Sequence, residues 1–325
     1  MNLPPGLPKA LALQVQGQLK RVEKGLAEAT RSDVPYIQEA AGHIISAGGK
    51  RFRPALVILT SLLGKPDEKL AVDAALVVEL THVASLYHDD VMDEATTRRG
   101  VESSNLKYGN SVAILVGDYL FARASTFVGT LGADYIDLQA RTFMRLVTGQ
   151  IMEGRMPAEP GAALQHYLKV VADKTGSLIA TSARFGGMVA GLPGTQLDAL
   201  SAFGEEIGMV FQLSDDIMDI ESDRSGKAAG TDLREGVLTL PTLLVLESQN
   251  PADDELKSLL RRPLEDEAEV ARALELLRAH PAMDKAKAEV SRRLLKAKGH
   301  LQVLPSGKVR DALGQLADGV ANRQA

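Results

Sequence analysis

The stretch LTHVASLYHDDVMDEATTRRG, Leu80 to Gly100, decides how the rest of the chain is read. An apolar run ends in three carboxylates, Asp89, Asp90 and Asp93, and two arginines, Arg98 and Arg99, follow at once. Asp89 and Asp93 are four apart, so on a helix they share a face, where like charges repel by roughly 0.2–0.5 kcal/mol. One such copy has a plain alternative, a solvated acidic face. The chain repeats the spacing in FQLSDDIMDIESD, where Asp215, Asp216 and Asp219 again follow a long apolar segment. Two clusters of hard oxygen ligands suit Mg²⁺ better than a soft-ligand metal, and Mg²⁺ is usually held by a few carboxylates plus substrate phosphates. The first expectation is therefore a phosphate-bearing substrate handled by two acidic helices.

Working outward, His82 lies seven residues before Asp89, almost on the same face of an ideal helix. It reads equally as a structural donor or as part of the site. Upstream, Gly48-Gly49 ends a helix that begins near Pro35, and GGKRFRP follows with Lys50, Arg51 and Arg53. That segment is either a solvated basic turn or an anion site in which glycine admits close backbone approach and arginine forks onto phosphate. Helical spacing continues over Leu7–Ala29, Ala55–Leu63, from Asp67 to the first acidic cluster, through the apolar part of Asn105–Leu131, and over Tyr135–Glu153. Leu164–Ala190 is also helical but carries KTGS at Lys174 to Ser177, a local break or kink. Gln212 is three before Asp215 and shares its face. The polar, Gly-rich Asp223–Thr239 reads as a loop that brings Lys227 within reach of phosphate. Asp118, inside an apolar run, calls for a partner that the sequence does not name. Helical stretches with charged turns fill the remainder, and no strand alternation exceeds a few residues. The fold class is all-α, in one domain over residues 1–325.

Composition narrows the function. Hydrophobic residues make up 45% of the chain, aromatics only 4%, and Trp is absent, so the core is aliphatic and Ala-rich, which favours helices. Cys is absent, which removes disulfides and thiolate chemistry and fits a cytoplasmic setting. A net charge of −5 argues against a nucleic-acid partner. No apolar run is read as a membrane span, and the N-terminus lacks the pattern of a signal peptide.

GGKRFRP, HDDVMDEATTRRG, KYGN, VGDYLF, KTGS, FQLSDDIMD and GTDLREGVLTLP, in this order, resemble the trans-polyprenyl diphosphate synthases, the farnesyl, geranylgeranyl and longer-chain prenyltransferases. The resemblance implies the isoprenoid synthase fold, helices around a central cavity, usually in a homodimer. It implies Mg²⁺ held by Asp89 and Asp93 and by Asp215 and Asp219, with Asp90, Asp216 and Lys174 in the catalytic set. Arg98, Lys174, Thr175, Gln212 and Lys227 match positions around the allylic diphosphate, and Lys50, Arg53, His82 and Arg99 match those binding isopentenyl diphosphate. The implied reaction joins the two substrates and lengthens the chain by one isoprene unit, with a transient membrane contact for product release. The family sets product length four and five residues before the first Asp. Here Ser85 and Ala84 stand there, both small, so the expected product has six to ten units. The chain departs from the pattern at Val237, where the family often has Lys. A shorter-chain synthase, a subunit of a heteromeric synthase and a terpene cyclase are the neighbouring readings. A cyclase normally carries an Asn/Ser/Glu second metal motif in place of the second DDxxD.

Overall fold

The computed structural model describes residues 8–322 apart from 156, 158, 160 and 222–228. The described chain is helical, with one two-residue-per-strand hairpin. Its helices are α1 (Lys9–Ala29), α2 (Pro35–Ser46), α3 (Phe52–Ser61), α4 (Glu68–Met92), α5 (Ser104–Tyr108), α6 (Asn110–Leu131), α7 (Ala133–Glu153) and α8 (Ala163–Val171). A single π-helical turn, Ala172–Gly176, leads into α9 (Ser177–Val189). Then come α10 (Gly194–Glu221), α11 (Thr231–Glu235), α12 (Leu240–Leu246), α13 (Asp254–Leu260), α14 (Glu267–Ala279), α15 (Pro281–His300) and α16 (Lys308–Ala321). The hairpin strands are β1 (Thr97–Arg98) and β2 (Val101–Glu102), paired antiparallel with Arg98 opposite Val101.

The chain forms two compact units, each from three separate stretches. The first contains residues 1–144, 178–204 and 301–315. Its axis is α4, which packs on α1, α3 and α6. The Asp67 carboxylate starts α4 by accepting from the Lys69 and Leu70 amides at 2.7 and 3.2 Å. The helix is apolar on every side and buried along most of its length, as expected of a core helix. Tyr87 fastens it to α2: its buried hydroxyl donates to Ala40 O at 2.5 Å and accepts from Ile44 N at 3.3 Å. Asp118 on α6 finds its partner here in His88, 3.3 Å away. Gly117, beside it, lets the two helices approach, since a Cβ would stand 3.2 Å from Ala84 O and closer still to the His88 ring.

The second unit holds residues 145–177, 205–300 and 316–325. There α12 packs against α8 and α15, and a Thr239–Thr242 capping box starts α12. The reading that no stretch could cross a membrane needs correction. By length and composition both α4 and α6 qualify, with 83% and 33% of their most apolar windows buried inside the protein. A mostly buried window is the mark of a core helix, so for α4 the apolar length is explained by packing.

Candidate active site

The first acidic set sits on the last turn of α4. Asp89 is half-buried, Asp93 is exposed and forms the helix C-cap, and Asp90 is 0% exposed. Asp90 does not face the same way as its neighbours: it accepts from Arg98 Nε at 2.6 Å and from the Ser104 amide and hydroxyl at 3.0 and 3.1 Å. It thereby anchors the hairpin that carries both arginines. Arg99 and Gly100 form the two-residue turn at φ 54° and 79°, the left-handed pair of a type I′ hairpin. Arg98 also lies 4.0 Å from Asp93.

From the same turn Arg99 donates to Gly48 O at 2.5 Å and Ile44 O at 3.3 Å, so GGKRFRP and the RRG turn form one basic cluster in the first unit. Its four arginines differ. Arg51 is 3% exposed and fully used, pairing with Glu23 at 2.8 Å and Glu79 at 2.9 Å and donating to Gly48 O and Ile45 O. Arg53 keeps a shielded Nε with no partner among the described residues, and burial pushes its pKa down to about 10 against the pull of Glu79. A buried, unpaired guanidinium N–H is costly unless a ligand oxygen accepts from it. Lys50 is exposed. His82 is half-buried, and burial followed by the fields of Arg53, Arg99, Arg51 and Arg98 holds its pKa well below the ordinary histidine value. The shift favours the neutral imidazole at pH 7.

In the second unit the second acidic set lies near the end of α10. Asp215 is half-buried, whereas Asp216 is 3% exposed. Asp216 accepts from the Tyr167 hydroxyl, from Gln212 Nε2 at 3.2 Å and from the Leu240 amide at 3.5 Å. Burial nevertheless raises its pKa to about 6, helped by Asp215. Asp219 accepts from the Thr231 and Asp232 amides at 3.1 Å each and so starts α11. Gln212, which holds Asp216, lies 3.5 Å from the Thr175 hydroxyl. Thr175 and Lys174 project from the π-helical turn, where side chains are re-aimed relative to an α-helix. Lys174 pairs with Glu153, and the turn is braced by Arg145 and Lys169 on Asp173 at 2.7 and 2.6 Å. Gly149 makes room for it, since a Cβ there would lie 2.5 Å from the Lys174 amide. Lys227 lies outside the described residues. Val237, in the position where Lys is frequent, is 42% exposed.

The structure adds residues that motif reading passed over. Glu79 was visible as a lone acid in an apolar run, and Glu153 and Gln150 close α7, with Gln150 Oε1 buried and unpartnered. Tyr167 gave no signal in the sequence. Among the described residues no three His, Asp or Glu side chains form a ready-made metal cage. Each acidic set instead offers one or two accessible carboxylates, a donor set that suits an ion completed by phosphate oxygens and water.

The profile of the Polyprenyl synthetase family matches residues 34–277. The chain is 45% identical over 315 residues to the nonaprenyl diphosphate synthase of Mycobacterium tuberculosis, covering 96% of this chain and 94% of the relative. A geranylgeranyl pyrophosphate synthase from Corynebacterium glutamicum, solved with calcium and isoprenyl diphosphate, superposes with a TM-score of 0.89 at 41% identity, over 97% of this chain and 98% of that one. A polyprenyl synthase from Caulobacter crescentus, solved with the same two ligands, gives 0.88 at 33% identity, over 97% of each chain. With an all-α isoprenoid synthase fold and two DDxxD helices, the chain belongs to the polyprenyl synthetase family.

Proposed function

We propose that this chain condenses isopentenyl diphosphate with an allylic diphosphate and, by repeating the step, makes a long all-trans polyprenyl diphosphate. One observation carries the reading most directly: the arginine pocket keeps an unpaired, buried Arg53 Nε beside a neutral His82, while Asp89 and Asp93 stay accessible on the helix that holds His82. An anion-hungry pocket and a metal-ready acidic turn on one helix fit two diphosphate substrates. The relatives solved with calcium and isoprenyl diphosphate support the same ligand chemistry.

Asp89 and Asp93, and Asp215 with Asp219, would hold Mg²⁺, which supplies Lewis-acid stabilisation of the departing diphosphate. Lys174, released from Glu153, and Arg98, anchored by Asp90, add cationic hydrogen bonds to the allylic diphosphate. Lys227 joins them by resemblance. The allylic C–O bond breaks and the electron pair leaves with the diphosphate. Thr175 and Gln212 place oxygen atoms near the resulting cation. Lys50, Arg53, Arg99 and His82 orient isopentenyl diphosphate so that its double bond attacks and forms the new C–C bond. A proton then passes to the released diphosphate, which restores an alkene one unit longer. No nucleophilic side chain is required. A homodimer is supported by the exposed apolar face of α6, where Leu115 is 66% and Ile114 43% exposed.

Purified protein incubated with isopentenyl diphosphate, farnesyl diphosphate and Mg²⁺ tests the reading. The expected products exceed four isoprene units, with six to ten dominant. No condensation refutes the activity, arrest at three or four units refutes only the long-chain part, and turnover restored by a second protein supports a heteromeric synthase.

A further inference from the structure

Glu79 is a buried charged group that the proposed mechanism leaves unused. This carboxylate is 2% exposed, in the middle of the apolar helix α4, where an unpaired charge would be very costly. Two arginines compensate it. Arg51 Nη1 lies 2.9 Å from Glu79 Oε1, and Arg99 Nη2 lies 3.8 Å from the same oxygen. Both guanidinium groups also donate to Gly48 O, so one carboxylate and one carbonyl bracket the pair. Gly49, at φ 153°, presses against this arrangement, since a Cβ there would lie 3.0 Å from Arg99 Cζ. Arg53 feels Glu79 as well: it is the attraction that opposes the effect of burial on that guanidinium. Arg51 sits at φ 50°, a left-handed backbone that leads directly into α3, and its four acceptors hold that conformation in place.

We infer that Glu79 is a positioning residue for the isopentenyl diphosphate pocket: by holding Arg51 and Arg99 against the Gly48 carbonyl, it sets where the Arg53 and Arg99 N–H groups point. Arg51 is its partner in this and has no donor left for substrate. The inference rests on the assignment of Arg53 and Arg99 to isopentenyl diphosphate. It separates the roles inside GGKRFRP: Arg51 fixes the turn, Arg53 offers the free N–H, and Lys50 stays exposed at the edge.

Replacing Glu79 with Gln keeps the size and one acceptor but removes the charge that aligns two guanidinium groups. Steady-state kinetics with each substrate varied in turn, and calorimetric binding of isopentenyl diphosphate, read the result. Glu79→Gln is expected to raise KM and Kd for isopentenyl diphosphate about ten- to a hundredfold, the loss of about one charge-assisted contact. KM for the allylic substrate stays within about twofold. A merely structural role would lower the yield of folded enzyme and leave both KM values of the folded fraction unchanged, or raise them equally; either result overturns the inference. If Glu79→Gln does not fold, Arg51→Lys serves, because an ammonium cannot reach Glu23, Glu79, Gly48 O and Ile45 O together. The same selective rise is expected, and an unchanged isopentenyl diphosphate KM in folded Arg51→Lys overturns the inference. A wild-type protein that performs no condensation refutes the proposed activity, a failure separate from that of Glu79.

Discussion

Asp90 and Asp216, the middle carboxylates of their motifs, are 0% and 3% exposed, while Asp89 and Asp215 beside them are half-exposed. The buried pair is held by Arg98 and Ser104 in one case and by Tyr167 and Gln212 in the other. Asp89→Ala and Asp215→Ala should therefore cut kcat by about a hundredfold or more while folding is kept, because each removes an accessible carboxylate proposed to hold Mg²⁺ among like charges. Asp90→Ala should instead lower stability by about 1–3 kcal/mol, since it leaves the buried Ser104 amide and hydroxyl without their acceptor and frees the Arg98 hairpin. Kinetics at saturating Mg²⁺ and denaturant unfolding separate the two: near-normal turnover in Asp89→Ala or wild-type stability in Asp90→Ala would sink the division. A DDxxD spacing says which aspartates share a face but not which one a neighbouring helix will bury, so this split was not legible in the sequence. His82 carries a pH consequence. Burial and four arginines depress its folded pKa, so the folded state refuses a proton that the unfolded chain accepts below about pH 6.5. Its contribution to stability is present above that pH and fades as pH falls. Thermal melts from pH 7.5 to 5 should show Tm dropping, with a shallower drop in His82→Gln; identical slopes would contradict the charged surroundings of this ring.

The helices most plainly written in the sequence are those with caps and breakers: Asp67 before α4, Pro35 at the start of α2, and Gly48-Gly49 after it. The KTGS segment was legible as a break in a helix, but its form, a π-helical turn fitted over Gly149, depends on a helix distant in sequence. The Arg99-Gly100 turn was missed for the same kind of reason, because hairpin pairing of two residues per strand leaves no alternation to read. On α4 the apolar run is continuous, so no core face can be chosen from periodicity. Spacing still put His82 and Ser85 on the side of Asp89, whereas the role of Glu79 became meaningful only with packing. By resemblance, Ser85 and its neighbour Ala84 are the positions proposed to set product length. Ser85 lies about 40° from Asp89 around the helix and one turn nearer its start. It is 8% exposed, with its hydroxyl donating to His82 O at 2.8 Å. Ala84 is 0% exposed on a helix that packs closely on α6. Ser85→Phe is expected to shorten the main product without abolishing the first condensation, as measured by chromatography of the dephosphorylated products. Ala84→Phe should shorten it too, and cost about 1–3 kcal/mol through overpacking. If both variants keep the wild-type distribution, the tail does not run along this face.

Helix α6 is the second helix long and apolar enough to span a membrane, yet only 33% of its most apolar window is buried inside the protein. Its inner side meets α4 through Gly117 and His88, and Phe121 ties it to α7 with Phe143, ring centroids 4.3 Å apart. The outer side leaves Ile114 and Leu115 exposed, and α7 adds Ile136 at 46% and Met144 at 62%. Scattered single apolar residues on a surface need no explanation, but adjacent exposed Ile114 and Leu115 on a helix this apolar mark a face that a partner would cover. The proposed homodimer would cover it, because the same face on both partners would bury itself about a two-fold axis. Light scattering should give about twice 34.7 kDa for the protein at micromolar concentration. Leu115→Asp, which places a charge at the most exposed of these positions, should weaken the dimer by at least about tenfold, since burying an unpaired carboxylate is strongly opposed. Leu115 is 66% exposed, so if it acts through the dimer any loss of turnover should track the fraction of monomer and recover at higher protein concentration. A wild-type chain that is monomeric at these concentrations, and that sediments instead with phospholipid vesicles, would assign the face to a membrane surface.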